Sequence, residues 1–183
     1  MDIPYRKIKK NILDHFRYER YLLDIAKFIK FNPYDGVCVV YKTVDYLKSL
    51  VLESLNSEEN FREYNIEEEE KDLRFEDKYD IFILFLMAHA LGDERLGKLL
   101  GDIREALVSG GSVFVVDYAQ PKGLIGNFFK FVLNITDKDA CRYLDRGNEI
   151  FNKCGFTEQG RVILKRGCIK VIHFKVGSIL EEG

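Results

Sequence analysis

The sequence has no tryptophan, only three prolines in 183 residues, and no pair of cysteines at metal-ligand spacing. The four cysteines, Cys38, Cys141, Cys154 and Cys168, are separated by long, irregular gaps. That spacing gives no zinc motif, and reduced thiols are the expected state, with Cys38 a small buried hydrophobe inside an apolar run. No metal site is expected: Glu67–Glu70 is a like-charge run whose carboxylates would fan around a helix or loop rather than converge on an ion. No apolar run approaches the roughly 18 residues of a membrane span. Residues 1–10 show no apolar stretch after their charges, so no secretory signal is expected and the cytoplasm is the expected compartment. An excess of one charge sign is also missing. Lys and Arg number 28 against 30 for Asp and Glu, a net charge of −2, which removes the strong basic footprint of a dedicated nucleic-acid binder.

What the chain does have is apolar content, 46% of all residues with 13% aromatic, enough for one compact domain over residues 1–183. Charge is distributed unevenly. Residues 1–30 carry eight basic against four acidic side chains, and residues 58–80 carry four against eleven. The basic start reads as a solvated helix face, with peripheral contact to an anionic surface as the functional counterpart. Within it Ile8, Ile12 and Phe16 step by four, as do Leu22 and Ala26, so residues 1–32 form an N-terminal helical segment that Asn32-Pro33 terminates.

The remaining elements follow from period and punctuation. Val37 to Val40 is a buried strand, and Leu47, Leu50, Val51 and Leu55 mark a helix after it. Phe61 to Ile66 is a short strand candidate. Residues 80–86 and 112–117 are continuous apolar runs of the kind found in central parallel strands. Between them Leu96, Leu99, Leu100, Ile103 and Leu107 predict a helix over 93–108, stopped by Ser109-Gly110-Gly111. Leu124 to Ile135 is apolar and aromatic, 139–154 is helical, and Gly155 ends that helix. Residues 157–164 and 168–176 alternate around Lys165-Arg166-Gly167, an antiparallel hairpin.

This order, and five short stretches within it, resembles the C-terminal half of class I S-adenosylmethionine-dependent methyltransferases. The stretches are Leu73 to Ile81 entering one strand, Met87-Ala88-His89-Ala90-Leu91 leaving it, Ile103 to Gly111, Val116-Asp117-Tyr118, and Cys154-Gly155-Phe156. The resemblance covers residues 70–176. It implies an α/β, Rossmann-like fold, a mainly parallel sheet with a C-terminal antiparallel hairpin, and S-adenosylmethionine as cofactor. It also implies cofactor contacts at Leu86, Met87 and Glu67, and chemistry at the strand-end residues His89 and Asp117. Tyr118, Gln120 and Phe128 would line the acceptor side, and the apolar 123–131 stretch suggests a small, apolar acceptor.

The N-terminal half departs from the family pattern. A glycine-rich loop is expected after the first strand, because the backbone there must approach the cofactor closely. Here the strand runs into Tyr41-Lys42-Thr43-Val44-Asp45, with no glycine. The interval from Gly36 to Asp80 is also too short for a full β-α-β-α-β half, so one strand–helix unit is shortened or missing. Two function classes follow: a methyltransferase acting on a small acceptor, with the cofactor site degenerate, or a non-catalytic protein of the same fold that associates with a protein partner or binds another ligand.

Overall fold

A computed structural model of the chain describes residues 24–25, 27–41, 58–66, 74–119, 123–136, 138–164 and 169–177. Its strands are β1 (Val37–Tyr41), β2 (Phe61–Asn65), β3 (Tyr79–Phe85), β4 (Leu107–Tyr118), β5 (Phe156–Leu164) and β6 (Ile169–Val176). Its helices are α1 (Asp93–Ala106), α2 (Gly123–Thr136) and α3 (Lys138–Lys153). The strands form one sheet in the order β2-β1-β3-β4-β6-β5. β2, β1, β3 and β4 run parallel, and β6 pairs antiparallel with both β4 and β5. The expected topology is observed, with Phe61–Asn65 as the edge strand. Only thirteen residues separate Asn65 from Tyr79, too few for a further strand–helix unit, which accounts for the shortened N-terminal half.

The central strands are apolar because both faces are covered. Cys38, Val40, Phe82, Leu84, Val113 and Val115 face α1 and α3, while Val37, Val39, Ile81, Ile83, Phe114 and Val116 face the helical residues around Ile25 and Ile29. Burial pushes the Cys38 thiol above its ordinary pKa, as expected of an inert core cysteine. Of the N-terminal helical segment, only residues 24–25 and 27–32 fall within the described range. Its helix ends at Ile29, Lys30 takes φ +52°, and Asn32 N–H donates to Asp35 Oδ2 at 2.8 Å. Ile8, Ile12 and Phe16 lie outside the described residues.

One expected boundary moves. α1 stops at Ala106, because Leu107 is already extended, and β4 begins there rather than at Ser112. Tyr79 pairs with Leu107, but Ile81 pairs with Ser112, so the intervening residues of β4 bulge out of the ladder. Gly110 supplies φ +80° in this bulge. A Cβ on Gly111 would sit 2.8 Å from Leu107 Cγ and 3.0 Å from the Asp80 carbonyl oxygen, so only glycine fits. The glycine pair bends a strand and does not stop a helix.

Candidate functional site

Between β1 and β3 the connections leave in opposite directions, and it is at such switch points that open α/β sheets hold ligands, beyond the carboxyl ends of the strands. Tyr41 ends β1 opposite Phe85, and Leu86 follows β3. Leu86 adopts φ +47°, a left-handed conformation that costs a non-glycine residue roughly 1–2 kcal/mol. Its N–H donates to the Val116 carbonyl at 2.8 Å, which pins the turn to β4. From there the chain enters a 3₁₀ turn, Ala88–Ala90, that lays His89 over the end of β4.

Asp117 meets His89 there. The carboxylate is fully buried and accepts three hydrogen bonds: from His89 N–H at 3.0 Å, from His89 Nδ1 at 2.6 Å and from Tyr118 N–H at 2.7 Å. A carboxylate can only accept, so the imidazole presents Nδ1–H to it. The Tyr118 ring packs on the imidazole at 4.7 Å between centroids. Two further residues, unremarked in the sequence, complete this cluster. Lys170 is the register partner of Asp117 on β6, and Tyr143 comes from α3; both are buried. The Lys170 ammonium lies 4.6 Å from the centre of the Tyr143 ring. Burial pulls Lys170 below the ordinary lysine range, and the Asp117 charge opposes that shift. Burial pushes the Tyr143 phenol well above its ordinary pKa, and Asp117 adds to the effect. The Tyr143 hydroxyl is buried without a hydrogen-bond partner. Lys170 was legible in principle, since in an alternating strand it shares the inward face of Ile172 and Phe174; Tyr143 carried no comparable signal.

The structure therefore brings His89, Asp117 and Tyr118 together and leaves other candidates apart. Met87 is wholly buried in the core beneath α1 and α3, and Leu86 is half-buried against the opposite core. Phe128 is 69% exposed on the outer face of α2 and does not join the cluster. Lys42, Thr43, Glu67 and Gln120 lie outside the described residues. His173 stacks on Phe114 at 4.6 Å and shares a hydrogen bond with Ser112 Oγ at 2.9 Å. Among the described residues no three His, Cys, Asp or Glu side chains gather as a metal site would require.

The cofactor that this fold implies needs a cradle at the end of β1. Tyr41 stays in register with both Asn65 and Phe85, its carbonyl accepts Ile66 N–H at 2.9 Å, and its side chain packs on the core. The strand thus remains extended and bulky where the resemblance calls for glycine, and no glycine follows before Asp45. Of the stretch from Tyr41 to Asp45 the structure describes Tyr41 alone, and there a bulky, extended residue stands where a glycine cradle is called for.

No protein-family model matches the sequence, and no curated protein does. Solved structures do. The mitomycin 7-O-methyltransferase MmcR superimposes with a TM-score of 0.61 at 12% identity, covering 86% of this chain and 54% of that one. The pyocyanin biosynthetic protein PhzM gives 0.61 at 14% identity, covering 84% and 53%. LepI, solved in complex with SAM, gives 0.54 at 12% identity, covering 85% and 39%. The chain spans about half the length of MmcR and PhzM. At these identities the likeness speaks for architecture, and the architecture of this chain is the Rossmann-like fold of class I S-adenosylmethionine-dependent methyltransferases, shortened in its N-terminal half.

Proposed function

We propose that this chain is a non-catalytic protein of the methyltransferase fold, one that does not hold S-adenosylmethionine with the affinity of an enzyme and that uses its strand-end cluster of His89, Asp117 and Tyr118 to bind another small ligand. One observation carries this reading: β1 runs extended through Tyr41 into five residues without glycine, where a cofactor needs close backbone approach. The cluster beyond β4 supports the ligand site. It is polar, assembled from four separate elements, and contains a buried hydroxyl without a partner, the kind of group a bound molecule satisfies.

A methyl-transfer reading is favoured by a different observation, the His89–Asp117 pair. A histidine oriented by a buried carboxylate has the arrangement of a general base toward a small, apolar acceptor. In that reading Leu86, Met87 and Glu67 would be the cofactor contacts that the resemblance implies. Isothermal titration with S-adenosylmethionine and S-adenosylhomocysteine separates the two. No heat up to millimolar ligand is expected from protein shown to be folded. A micromolar dissociation constant overturns the non-catalytic reading and restores methyl transfer.

A further inference from the structure

α2 carries an apolar stripe on its outer side. Leu124 is 88% exposed, Phe128 69%, Phe131 62% and Ile135 66%. Steps of four, three and four residues align these side chains along one face of the helix. The other exposed residues described on α2 are Gly123, Asn127 and Asn134, none of them charged. The chain as a whole is 32% charged, yet the 14 residues of α2 contain one charge, Lys130, and no acid. In sequence, residues 120–139 hold Lys122, Lys130 and Lys138 against Asp137 and Asp139, one net positive charge within a chain of net charge −2.

We propose that α2 is an in-plane membrane contact, its stripe buried at the headgroup–acyl boundary of an anionic bilayer. Crossing is a different matter: 14 residues span about 21 Å, short of the ~30 Å hydrocarbon core. Among the described residues, no helix is long and apolar enough to cross. An amphipathic helix with an apolar face, no acid and a basic neighbourhood has the composition that lies on an anionic surface. A second copy of the chain is the weaker occupant. Four such side chains offer roughly 500 Å², so a two-fold pairing through them buries about 1,000 Å² in total, below the ~1,200 Å² at which stable interfaces begin. The inference stands on the α2 surface alone and is independent of what occupies the strand-end site. It does set the two side by side, because α2 starts five residues after Tyr118 at the end of β4.

The test is flotation of the full chain with vesicles of phosphatidylcholine, alone or mixed with phosphatidylglycerol. Co-flotation with the mixed vesicles is expected, weakening as salt is raised. The double variant Phe128→Ser, Phe131→Ser should partition about tenfold less or lower, with an unchanged melting temperature because both side chains are exposed. A second variant reads the contact directly. The chain has no tryptophan, so Phe128→Trp introduces a single reporter whose emission should shift to the blue with anionic vesicles and stay unchanged with phosphatidylcholine alone. Absence of flotation at low salt, flotation that the serine variant leaves undiminished, or a dimer in sedimentation that the serine variant dissociates would each overturn the proposal.

Discussion

Replacing Asp117 with alanine takes away the acceptor of three hydrogen bonds at once. His89 N–H is buried and its imidazole nearly so, and Tyr118 N–H is partly buried. A buried donor left without a partner costs about 1–3 kcal/mol, more than the bond itself contributes net. Losses within one network do not simply add, so the expected destabilisation is about 3–5 kcal/mol, the range for breaking a buried polar pair from one side. Against a total stability of about 5–15 kcal/mol, that is a large fraction. Asp117→Asn keeps the shape and one carbonyl oxygen but sets an NH₂ group where the second oxygen accepted, so about 1–3 kcal/mol is lost. His89→Ala removes the imidazole but leaves the carboxylate both backbone donors, and it should cost less than Asp117→Ala. Urea unfolding followed by circular dichroism and by the emission of the ten tyrosines measures all three, provided the m-values agree. A loss below about 1 kcal/mol for Asp117→Ala, or a His89→Ala variant equally unstable, would refute the view that this carboxylate organises the strand-end turn.

Two other positions probe the same reasoning elsewhere. Burial lowers the His173 pKa below its ordinary 6.5, with Lys175 contributing, so as pH falls the unfolded chain takes its proton first. The stability tied to neutral His173 is present above pH 6.5 and is lost as pH falls through the folded-state pKa. His173→Gln should therefore show a smaller drop in melting temperature between neutral and mildly acidic buffer than the parent chain; equal drops contradict this. At Leu86 the left-handed backbone predicts an inversion of the usual burial order. Leu86→Val, β-branched, should lose about 1–2 kcal/mol, while Leu86→Gly relieves the strain and should change stability by less than about 1 kcal/mol. Denaturant curves that rank the glycine variant below the valine variant would show that side-chain packing, not backbone conformation, governs this turn.

The parallel strands were legible because a strand covered on both faces has to be apolar throughout, as Val37–Val40 and Ile81–Phe85 are. The hairpin was legible because its outer strand alternates, residue by residue, between covered and exposed positions. Gly110-Gly111 reads as a helix stop in the sequence because the local signal for a helix end and for a strand bulge is the same. What distinguishes them is the pairing of Leu107 with Tyr79, a contact set by residues far away in sequence. His89 and Asp117 stood out as strand-end positions, whereas Tyr143 and Lys170 join them only through the packing of α3 over β4 and β6. The sequence leaves open which face of α2 Phe128 occupies. A helix with apolar residues on every side does not reveal which face its neighbours will cover, and here Gly126 faces inward while Phe128 faces out.

The central claim concerns the end of β1, and titration of the folded chain with S-adenosylmethionine tests it most directly. Non-glycine residues held in glycine-type backbone conformations cost on the order of 1–3 kcal/mol each. Two of them in the stretch from Tyr41 to Asp45 would weaken binding by roughly a hundredfold or more, since about 1.4 kcal/mol is tenfold. Calorimetric silence up to millimolar ligand, with circular dichroism showing the protein intact, is the predicted result. A dissociation constant in the micromolar range would contradict it and show that the end of β1 still holds the cofactor.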